Sequence, residues 1–458
     1  MLNSLQEKSA SSFLLVFFFV CSIFSAIVPP FQSPDEFEHI KRAYLFGHGE
    51  IVLRAFEGRS NGGAIDSGLL RYMEAYEEIA QHPDKKISTD SLREADSIRW
   101  EHAKQFTSVI GGAYYFPAIY AVHAFGLRLG EMLDLTLGAS YRLTRMLLLA
   151  ATCGVLLIAF RLFPPPPLVY ALLIIPMSLF QFSSASLDGI ATALSLLIIS
   201  AFLRIQASGK GAAPWIFYLM LCAWMLVASS RLHLFSLLFM AIVVCFISRR
   251  KTHLIATVLA ACFVILWQII VMKTLVDGRV NLHATSAQII AFYLQHPVSF
   301  LSLLFATATN HTIASGYFSS FFGMLGWLDA PFRGKEYLFL GALTVVIAGL
   351  SIGWRDLGKQ HLTRLLLVSC AVASVFTIFF ALLVTWTPHP ATLILGVQGR
   401  YLLVPVALLA YATSGLSLRL PATQEKIAVI VTLLLGVYSC SITTGLLLDR
   451  YYLQMAAQ

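Results

Sequence analysis

Runs of apolar residues separated by short polar stretches follow one another along most of the chain. A helix needs roughly 20 apolar residues to cross a bilayer core of about 30 Å. Runs close to this length recur throughout, so the sequence predicts an all-α polytopic membrane protein with about eleven transmembrane helices. The predicted spans are residues 11–28, 141–162, 167–182, 187–204, 213–230, 232–248, 254–273, 336–353, 363–385, 399–418 and 426–447.

Two further apolar stretches do not fit a simple span. Residues 114–132 have apolar positions at helical spacing but also carry His123 and Arg128, which is typical of a helix lying on the membrane surface. Residues 298–332 are compatible with a re-entrant segment or with a pair of short spans. The second interpretation raises the number of spans to thirteen.

Basic residues at the ends of the spans predict the orientation of the chain, because cytoplasmic loops carry an excess of lysine and arginine. With a cytoplasmic N-terminus, the inner flanks contain only three carboxylates, Glu7, Asp356 and Glu425. The basic residues on the same flanks are Lys8, Arg161, Arg204, Lys210, Arg249, Arg250, Lys251, Arg355, Lys359, Arg364, Arg419 and Lys426.

This orientation gives a single integral membrane domain, residues 1–458, with two long loops on the extracytoplasmic face. The first, residues 29–140, is polar and is predicted to contain membrane-surface helices. Between Asp35 and Asp134 it holds sixteen of the 24 acidic residues of the chain. The second loop covers residues 274–335.

Composition supports a membrane location. Of 458 residues, 58% are hydrophobic and 12% are charged, whereas soluble domains contain about 25% charged residues. This balance excludes a disordered chain and a typical cytosolic enzyme. The net charge of +8 does not indicate nucleic-acid binding, because the basic residues mostly flank apolar runs.

The first candidate site follows the first predicted span. Ser33, Pro34 and Glu36 form the pattern of a capped helix start, with Ser33 as N-cap. On that helix four other residues recur at the spacing of one helix face. They are Asp35, Glu38, His39 and Arg42. A solvated stripe and an acid–base or metal site at the lipid boundary are both compatible with this pattern.

The second candidate is Asp188, the only carboxylate between Leu135 and Val276. A carboxylate near a bilayer boundary is unfavourable unless it is paired. Asp188 either caps the helix that starts beside it or lines a polar cavity next to the first loop.

The third candidate is the motif at residues 396–401, where Gln398, Arg400 and Tyr401 precede or begin a predicted span. Backbone N–H groups at a helix N-terminus favour anions, and a guanidinium beside them completes a phosphate-binding site. Interfacial anchoring by Arg400 and Tyr401 is the alternative. Three more arginines fall on the predicted outer face, where topology does not favour them: Arg142, Arg145 and Arg231.

Several segments occur in an order that resembles a known family. They include PPFQSPDEFEHIKRAYLFGHGE, IPMSLFQFSSASLDGIATAL, FFGMLGWLD and TPHPATLILGVQGRYLLVPVAL. Together they are similar to the bacterial membrane proteins of domain-of-unknown-function family 2142, from about residue 29 to 410. The layout is also similar to that of GT-C glycosyltransferases, multi-span enzymes that use sugars carried by polyprenyl phosphate. For this chain we expect the bacterial cytoplasmic membrane, with the active face extracytoplasmic.

The resemblance implies a sugar transfer from a polyprenyl-phosphate donor to a glycan or lipid acceptor. Asp35 falls where GT-C enzymes have an essential acidic residue, and is expected to act as base, with Glu36 or Glu38 as a second acid or as a metal partner. Arg400, with Arg142 and Arg145 as weaker choices, is expected to stabilise the leaving phosphate.

Other interpretations stay open at this stage. His39 is expected to orient Asp35 or, with it, to bind Mg²⁺ or Mn²⁺. A transporter or flippase of lipid-linked glycans is the alternative function, and a polysaccharide polymerase or ligase is a variant of the first.

Overall fold

The computed structural model describes residues 4–55, 60–275, 282–354, 360–414 and 421–453. Some residues used above lie outside these ranges: Arg355, Asp356, Lys359 and Arg419 of the orientation argument, residues 415–418 of one predicted span, and residues 56–59 and 276–281 of the two long loops.

Helices make up most of the described chain. In chain order they are α1 (Ser4–Ile27), α2 (Glu36–Gly47), α3 (Ser67–Glu77), α4 (Thr89–Ser97), α5 (Ala121–Met132), α6 (Leu137–Leu162), α7 (Pro167–Ile174), α8 (Pro176–Phe182), α9 (Leu187–Ser208), α10 (Pro214–Ala228), α11 (Leu238–Ser248), α12 (Lys251–Thr274), α13 (Ser286–Gln295), α14 (Pro297–Thr309), α15 (His311–Phe322), α16 (Gly334–Ser351), α17 (His361–Thr385), α18 (Leu403–Ser414) and α19 (Ala422–Tyr451). The all-α class is therefore confirmed.

Seven helices in the described residues are long and apolar enough to cross a membrane, or eight if the bent pair α13 and α14 forms one span. The seven are α1, α6, α9, α12, α16, α17 and α19. Each coincides with one of the predicted spans, but the total of about eleven is not confirmed.

The other four predicted spans contain shorter helices. Residues 167–182 divide into α7 and α8, because Pro176 restricts Ile175 to an extended conformation with ψ 152°. Helix α10 has 15 residues and α18 has 12. Residues 232–248 begin as a 3₁₀ helix, Leu232–Leu237, and continue as α11.

The first long loop combines short helices with a small sheet. Strands β1 (Gly62–Asp66) and β2 (Lys104–Ser108) pair in antiparallel fashion, with Ala64 opposite Phe106. A 3₁₀ turn leads into α5, whose 12 residues extend over about 18 Å. Helix α5 packs against α2 and α6, so it fixes the loop to the helical bundle.

The second long loop is also irregular. Helices α13 and α14 meet at an angle of 101°, which is the geometry of a broken span or a re-entrant segment. Helix α15 follows, and then a small antiparallel pair, β3 (Met324–Leu325) and β4 (Ala330–Pro331). Helix α15 contacts the 3₁₀ turn Gly399–Leu402, which brings this loop close to the Arg400 motif.

Helix α9 is the centre of the fold. In its most apolar stretch 78% of the residues are buried within the protein, compared with 22–44% in the other six long helices. It contacts α6, α8, α10, α11 and α18. Its N-terminus, which carries Asp188, therefore lies where several helices converge.

Candidate active site

Asp35 immediately precedes α2 and has a left-handed backbone conformation, with φ 64° and ψ 2°. This differs from the predicted helix start, since Asp35 and not Ser33 is the N-cap residue. Half of the expected capping box is present, because the Ser33 backbone N–H donates to Glu36 Oε2 at 3.2 Å. A left-handed non-glycine residue is uncommon, and such conformations are concentrated at functional sites.

The Asp35 side chain is partly open to solvent and faces Arg400. Its side chain is 43% exposed, and Oδ2 lies 3.6 Å from Arg400 Nη2. Two segments far apart in the sequence, the start of the first loop and the 3₁₀ turn before α18, are thus joined by opposite charges.

Asp188 lies deeper, at the N-terminus of α9, and is shared by two arginines. It accepts a short hydrogen bond from Arg231 and one of 3.1 Å from Gln181 Nε2. Arg400 Nη1 is 3.5 Å from Asp188 Oδ2. A buried carboxylate requires such compensation, and the helix N-terminus adds to it.

Arg231 connects the central carboxylate to the first loop. Its Nη1 donates to the Tyr115 hydroxyl at 3.3 Å, and the guanidinium carbon lies 5.3 Å from the centre of the Tyr115 ring. Burial alone would lower the pKa of Arg231, but Asp188 raises it well above its usual value. The residue is therefore charged at all physiological pH values.

Arg400 is held by the second loop. Its side chain is 3% exposed, and the preceding Gly399 N–H donates to Ser320 Oγ of α15 at 2.7 Å. The guanidinium lies beside the Tyr401 ring, 5.4 Å from its centre. Arg400 Nε and Gln398 Oε1 are buried, and within the described chain neither has a hydrogen-bond partner. The site thus retains polar atoms with unused bonding capacity.

A small, partly open cavity lies next to these groups. Its volume is about 30 Å³, which is room for only a few water molecules. Two positive charges, Arg231 and Arg400, are balanced there by Asp188 and Asp35. The cavity is lined by Gln181, Asp188, Ala191, Thr192, Arg231, His233, Leu234, Arg400, Tyr401, Leu403 and Val404.

His39 is close to this cluster but is neutral. Its Nδ1 is 2.9 Å from the Tyr120 hydroxyl, and the ring is 2% exposed. Burial and then the charge of Arg231 lower the pKa of His39 to about 3. An imidazole with this pKa does not act as a charged group near neutral pH.

The predicted Asp35–His39 metal site is not assembled. Within the described ranges, no three His, Cys, Asp or Glu side chains are grouped so as to hold a metal ion. Asp35 faces the positive charge of Arg400, and one nitrogen of His39 is engaged with Tyr120. These residues do not fit Mg²⁺ or Mn²⁺, which prefer several unpaired oxygen ligands.

Glu36 and Arg145 form a second, fully buried pair. Arg145 Nη2 is 3.2 Å from Glu36 Oε1, which also accepts from the Tyr141 hydroxyl and the Ala185 N–H, both at 2.5 Å. Arg145 donates further to the carbonyls of Ser25, Val28 and Pro29. The pair therefore fixes the end of α1 to α6, and neither side chain lines the cavity.

The other predicted residues face elsewhere. Arg142 pairs with Asp96 at 2.8 Å on the exposed surface, and Glu38 pairs with Lys41 at 3.0 Å. Arg42 donates to the carbonyls of Glu50 and Ile51. The stripe on α2 is thus divided, and only Asp35 joins Asp188 and Arg400.

Sequence reasoning did not assign Gln181 and Tyr115 to the site, and it noted Arg231 only as one of the arginines on the predicted outer face. Gln181 and Asp188 lie within one segment, on either side of the turn between α8 and α9. Tyr115 precedes α5 in the first loop. Gln181 and Tyr115 lie in segments that carry the family resemblance, IPMSLFQFSSASLDGIATAL and YYFPAIY, whereas Arg231 lies in none of them.

The fold and this ionic cluster define a polytopic helical membrane protein with a charged site where its loops meet the bundle. Residues 17–410 match the family described as predicted membrane protein, domain of unknown function 2142, and the chain belongs to it. No curated protein and no solved structure matches the chain.

Proposed function

We propose that the protein is a membrane glycosyltransferase. It moves a sugar from a polyprenyl-phosphate donor to a cell-envelope glycan or lipid at the outer face of the bacterial cytoplasmic membrane. The observation that carries this proposal is the juxtaposition of Asp35 and Arg400, 3.6 Å apart beside the cavity with Asp188 and Arg231. A base and two cations in one place suit a reaction whose leaving group is a phosphate.

The proposed topology has eleven crossings. Besides the long helices, the segments α7–α8, α10, Leu232–Ser248 and α18 each cross the membrane. The N-terminus is then cytoplasmic, and Asp35, Asp188, Arg231 and Arg400 all lie near the extracytoplasmic surface. This is the face on which a polyprenyl-linked sugar meets its acceptor.

Charge balance suggests how the donor enters. The four charges of the cluster sum to zero, so a phosphate binds well only if one carboxylate side chain moves away from the arginines. Asp35 is the one that moves, because its side chain is 43% exposed and its contact with Arg400 is 3.6 Å long. Asp188 stays, since it is 14% exposed and accepts from Arg231 and Gln181. Donor binding thereby frees Asp35.

The freed carboxylate then acts as the base. The acceptor hydroxyl attacks the anomeric carbon and gives its proton to Asp35, while the bond to the phosphate oxygen breaks. The leaving polyprenyl phosphate gains negative charge, which Arg400 and Arg231 stabilise. A positioned base contributes roughly 10²–10⁴-fold in rate. Attack from the face opposite the phosphate inverts the anomeric centre.

The test is Asp35→Asn in the full chain. The amide keeps the size of the side chain but takes no proton, so we expect envelope glycans of the variant strain to lack the sugar that the wild type adds. Asp96→Asn, which removes an exposed carboxylate of the same loop, is the matched control and is expected to behave as wild type. Unchanged glycans in an inserted Asp35→Asn protein would remove Asp35 from the mechanism.

Transport of a lipid-linked glycan is the second candidate, and broken helices favour it. Substrate sites of secondary transporters are often formed by interrupted spans. Here α7 and α8 are interrupted at Pro176, close to Gln181, and α13 and α14 meet at 101°. Sealed vesicles containing the protein and a labelled polyprenyl-phosphate sugar separate the two functions. Movement of the label without a new glycosidic bond supports transport, whereas a new bond supports transfer.

A further inference from the structure

Four helix ends converge at the face of the bundle opposite the active site. Helices α9 and α11 end there, at Ser208 and Ser248, and α10 and α12 begin there, at Pro214 and Lys251. Between them is a cavity of about 10 Å³, the basic pocket, which we define by Lys210, Phe217, Ser248, Arg250 and His253. It admits a single water-sized group.

The basic side chains around the basic pocket have no carboxylate partner among the described residues. Within the described part of the chain, no carboxylate oxygen lies within 4.0 Å of the basic side chains on these helix ends. They are Arg204, Lys210, Arg249, Arg250 and Lys251. At the other face, by contrast, Arg145, Arg231, Arg400 and Arg450 all have carboxylate partners. Among the described residues the basic pocket therefore has a net positive charge, which attracts anions.

His253 supplies a buried polar group that lines the pocket. Its ring is 4% exposed and is stacked on Phe217, with ring centres 4.0 Å apart and an angle of 13° between the planes. Nδ1 lies 2.9 Å from Ser248 Oγ, while Nε2 is buried and, within the described residues, without a hydrogen-bond partner. Ser248 Oγ is closer to His253 Nδ1, at 2.9 Å, than to the Cys245 carbonyl, at 3.5 Å. We therefore assign the serine hydroxyl as donor to Nδ1, so that Nε2 carries the ring hydrogen and is a donor. A buried donor of this kind is stabilised by an acceptor from a ligand.

We propose that the basic pocket binds the phosphate group of an anionic phospholipid in the leaflet at this end of the helices. One phosphate oxygen enters the cavity and accepts from His253 Nε2, and the remaining charge lies against the exposed side chains of Lys210 and Arg250. The first turn of α12 begins at Lys251 without a side-chain cap, so its backbone N–H groups add to the attraction. The inner leaflet, where anionic lipids are abundant, is the predicted location.

The test is a lipid-binding measurement on the full chain in neutral detergent, with phosphatidylglycerol, phosphatidylcholine and inorganic phosphate as separate probes and bound lipid counted by native mass spectrometry. Wild type is expected to retain phosphatidylglycerol in preference to phosphatidylcholine. The double variant Lys210→Gln/Arg250→Gln is expected to lose about fivefold in affinity per cation removed. His253→Phe keeps the stacking on Phe217 but removes the donor, and is expected to lose about tenfold or more.

Arg161→Gln is the matched control, because Arg161 is an exposed arginine at the end of α6, on the same predicted face but outside the pocket. It is expected to bind phosphatidylglycerol as the wild type does. Equal binding by wild type and both pocket variants would overturn the site, and thermal unfolding of each variant shows that the comparison is between folded proteins. Binding of inorganic phosphate without retention of phosphatidylglycerol would support an anion site but would show that its ligand is not a lipid. None of these outcomes depends on sugar transfer.

Discussion

Arg400 contacts Asp35 and Asp188 through different nitrogens of one guanidinium, Nη2 at 3.6 Å and Nη1 at 3.5 Å. The two carboxylates differ in exposure, with 43% of the Asp35 side chain and 14% of the Asp188 side chain open to solvent. One arginine thus joins a largely buried carboxylate to a partly exposed one. This relationship underlies the proposed exchange of Asp35 for a phosphate.

Replacing Arg400 by alanine is expected to weaken binding of the polyprenyl-phosphate donor more than binding of the acceptor. The charged hydrogen bonds that it offers to phosphate contribute about 1.5–3 kcal/mol, equivalent to roughly 10- to 150-fold in affinity. Donor and acceptor titrations of the transfer reaction measure the two effects separately. Equal effects on both substrates would contradict a phosphate seat at this residue.

Glu36→Gln is expected to destabilise the protein without a direct effect on the reacting groups. It leaves Arg145, a side chain with 3% exposure, without its counter-charge, and breaking a buried ion pair in this way costs about 3–5 kcal/mol. The free energy of unfolding in mixed detergent micelles, compared with that of the wild type, measures the loss of stability.

Asp96→Asn is the matched control for Glu36→Gln. It breaks the ion pair between Asp96 and Arg142. The Arg142 side chain is 57% exposed and the Asp96 side chain 43% exposed, so we expect the free energy of unfolding to change by no more than about 1 kcal/mol. Similar losses in the two variants would mean that the Glu36–Arg145 pair does not hold α1 against α6.

The low pKa of His39 predicts a dependence of stability on pH. Burial lowers the pKa to about 3 in the folded chain, whereas an unfolded chain has about 6.5. Between these values the unfolded state binds a proton that the folded state does not bind, so stability falls as the pH is lowered. The slope is at most about 1.4 kcal/mol per pH unit for one such group. Above about pH 6.5 the group contributes no pH dependence.

His39→Asn is expected to flatten that acid-side slope, measured as the unfolding free energy between about pH 6.5 and pH 4.5. His123→Asn is expected to do the same, because burial lowers the pKa of His123 to about 3 as well. The control is His82→Asn, whose imidazole is exposed in the folded chain. An undiminished slope in both buried-site variants would show that other groups cause the acid sensitivity.

The general fold was predictable because the length of each apolar run can be read from a local stretch of the sequence. Seven predicted spans are single helices, but Pro176 divides another one, and the number of crossings depends on how the shorter helices pair. The sequence also did not predict the pairing of β1 with β2, because their register depends on contacts between segments that are distant in the chain.

The candidate site was predictable only in part. Asp35, Asp188 and Arg400 each carried a local signal, namely a charged residue at a lipid boundary next to a helix start. Their mutual contacts, and the separation of Glu36 and Arg145 into a different pair, depend on how α2, α6 and α9 pack together. Periodicity on α2 alone placed Glu38 and Arg42 with Asp35, because it does not show which neighbour each side chain meets.

Gly399→Ala is expected to displace Arg400 and thereby to reduce both stability and donor binding. A Cβ atom at residue 399 would collide with the backbone of Tyr317 and Phe321 in α15, and backbone atoms cannot rotate away as a side chain can. The hydrogen bond from the Gly399 N–H to Ser320 Oγ would then be lost. Gly445→Ala is the control, because its Cβ atom would meet nothing within 4 Å and alanine favours a helix over glycine by about 1 kcal/mol. Unfolding and donor titration of both variants check the prediction. A Gly399→Ala protein as stable and as active as Gly445→Ala would show that close contact with α15 does not position Arg400.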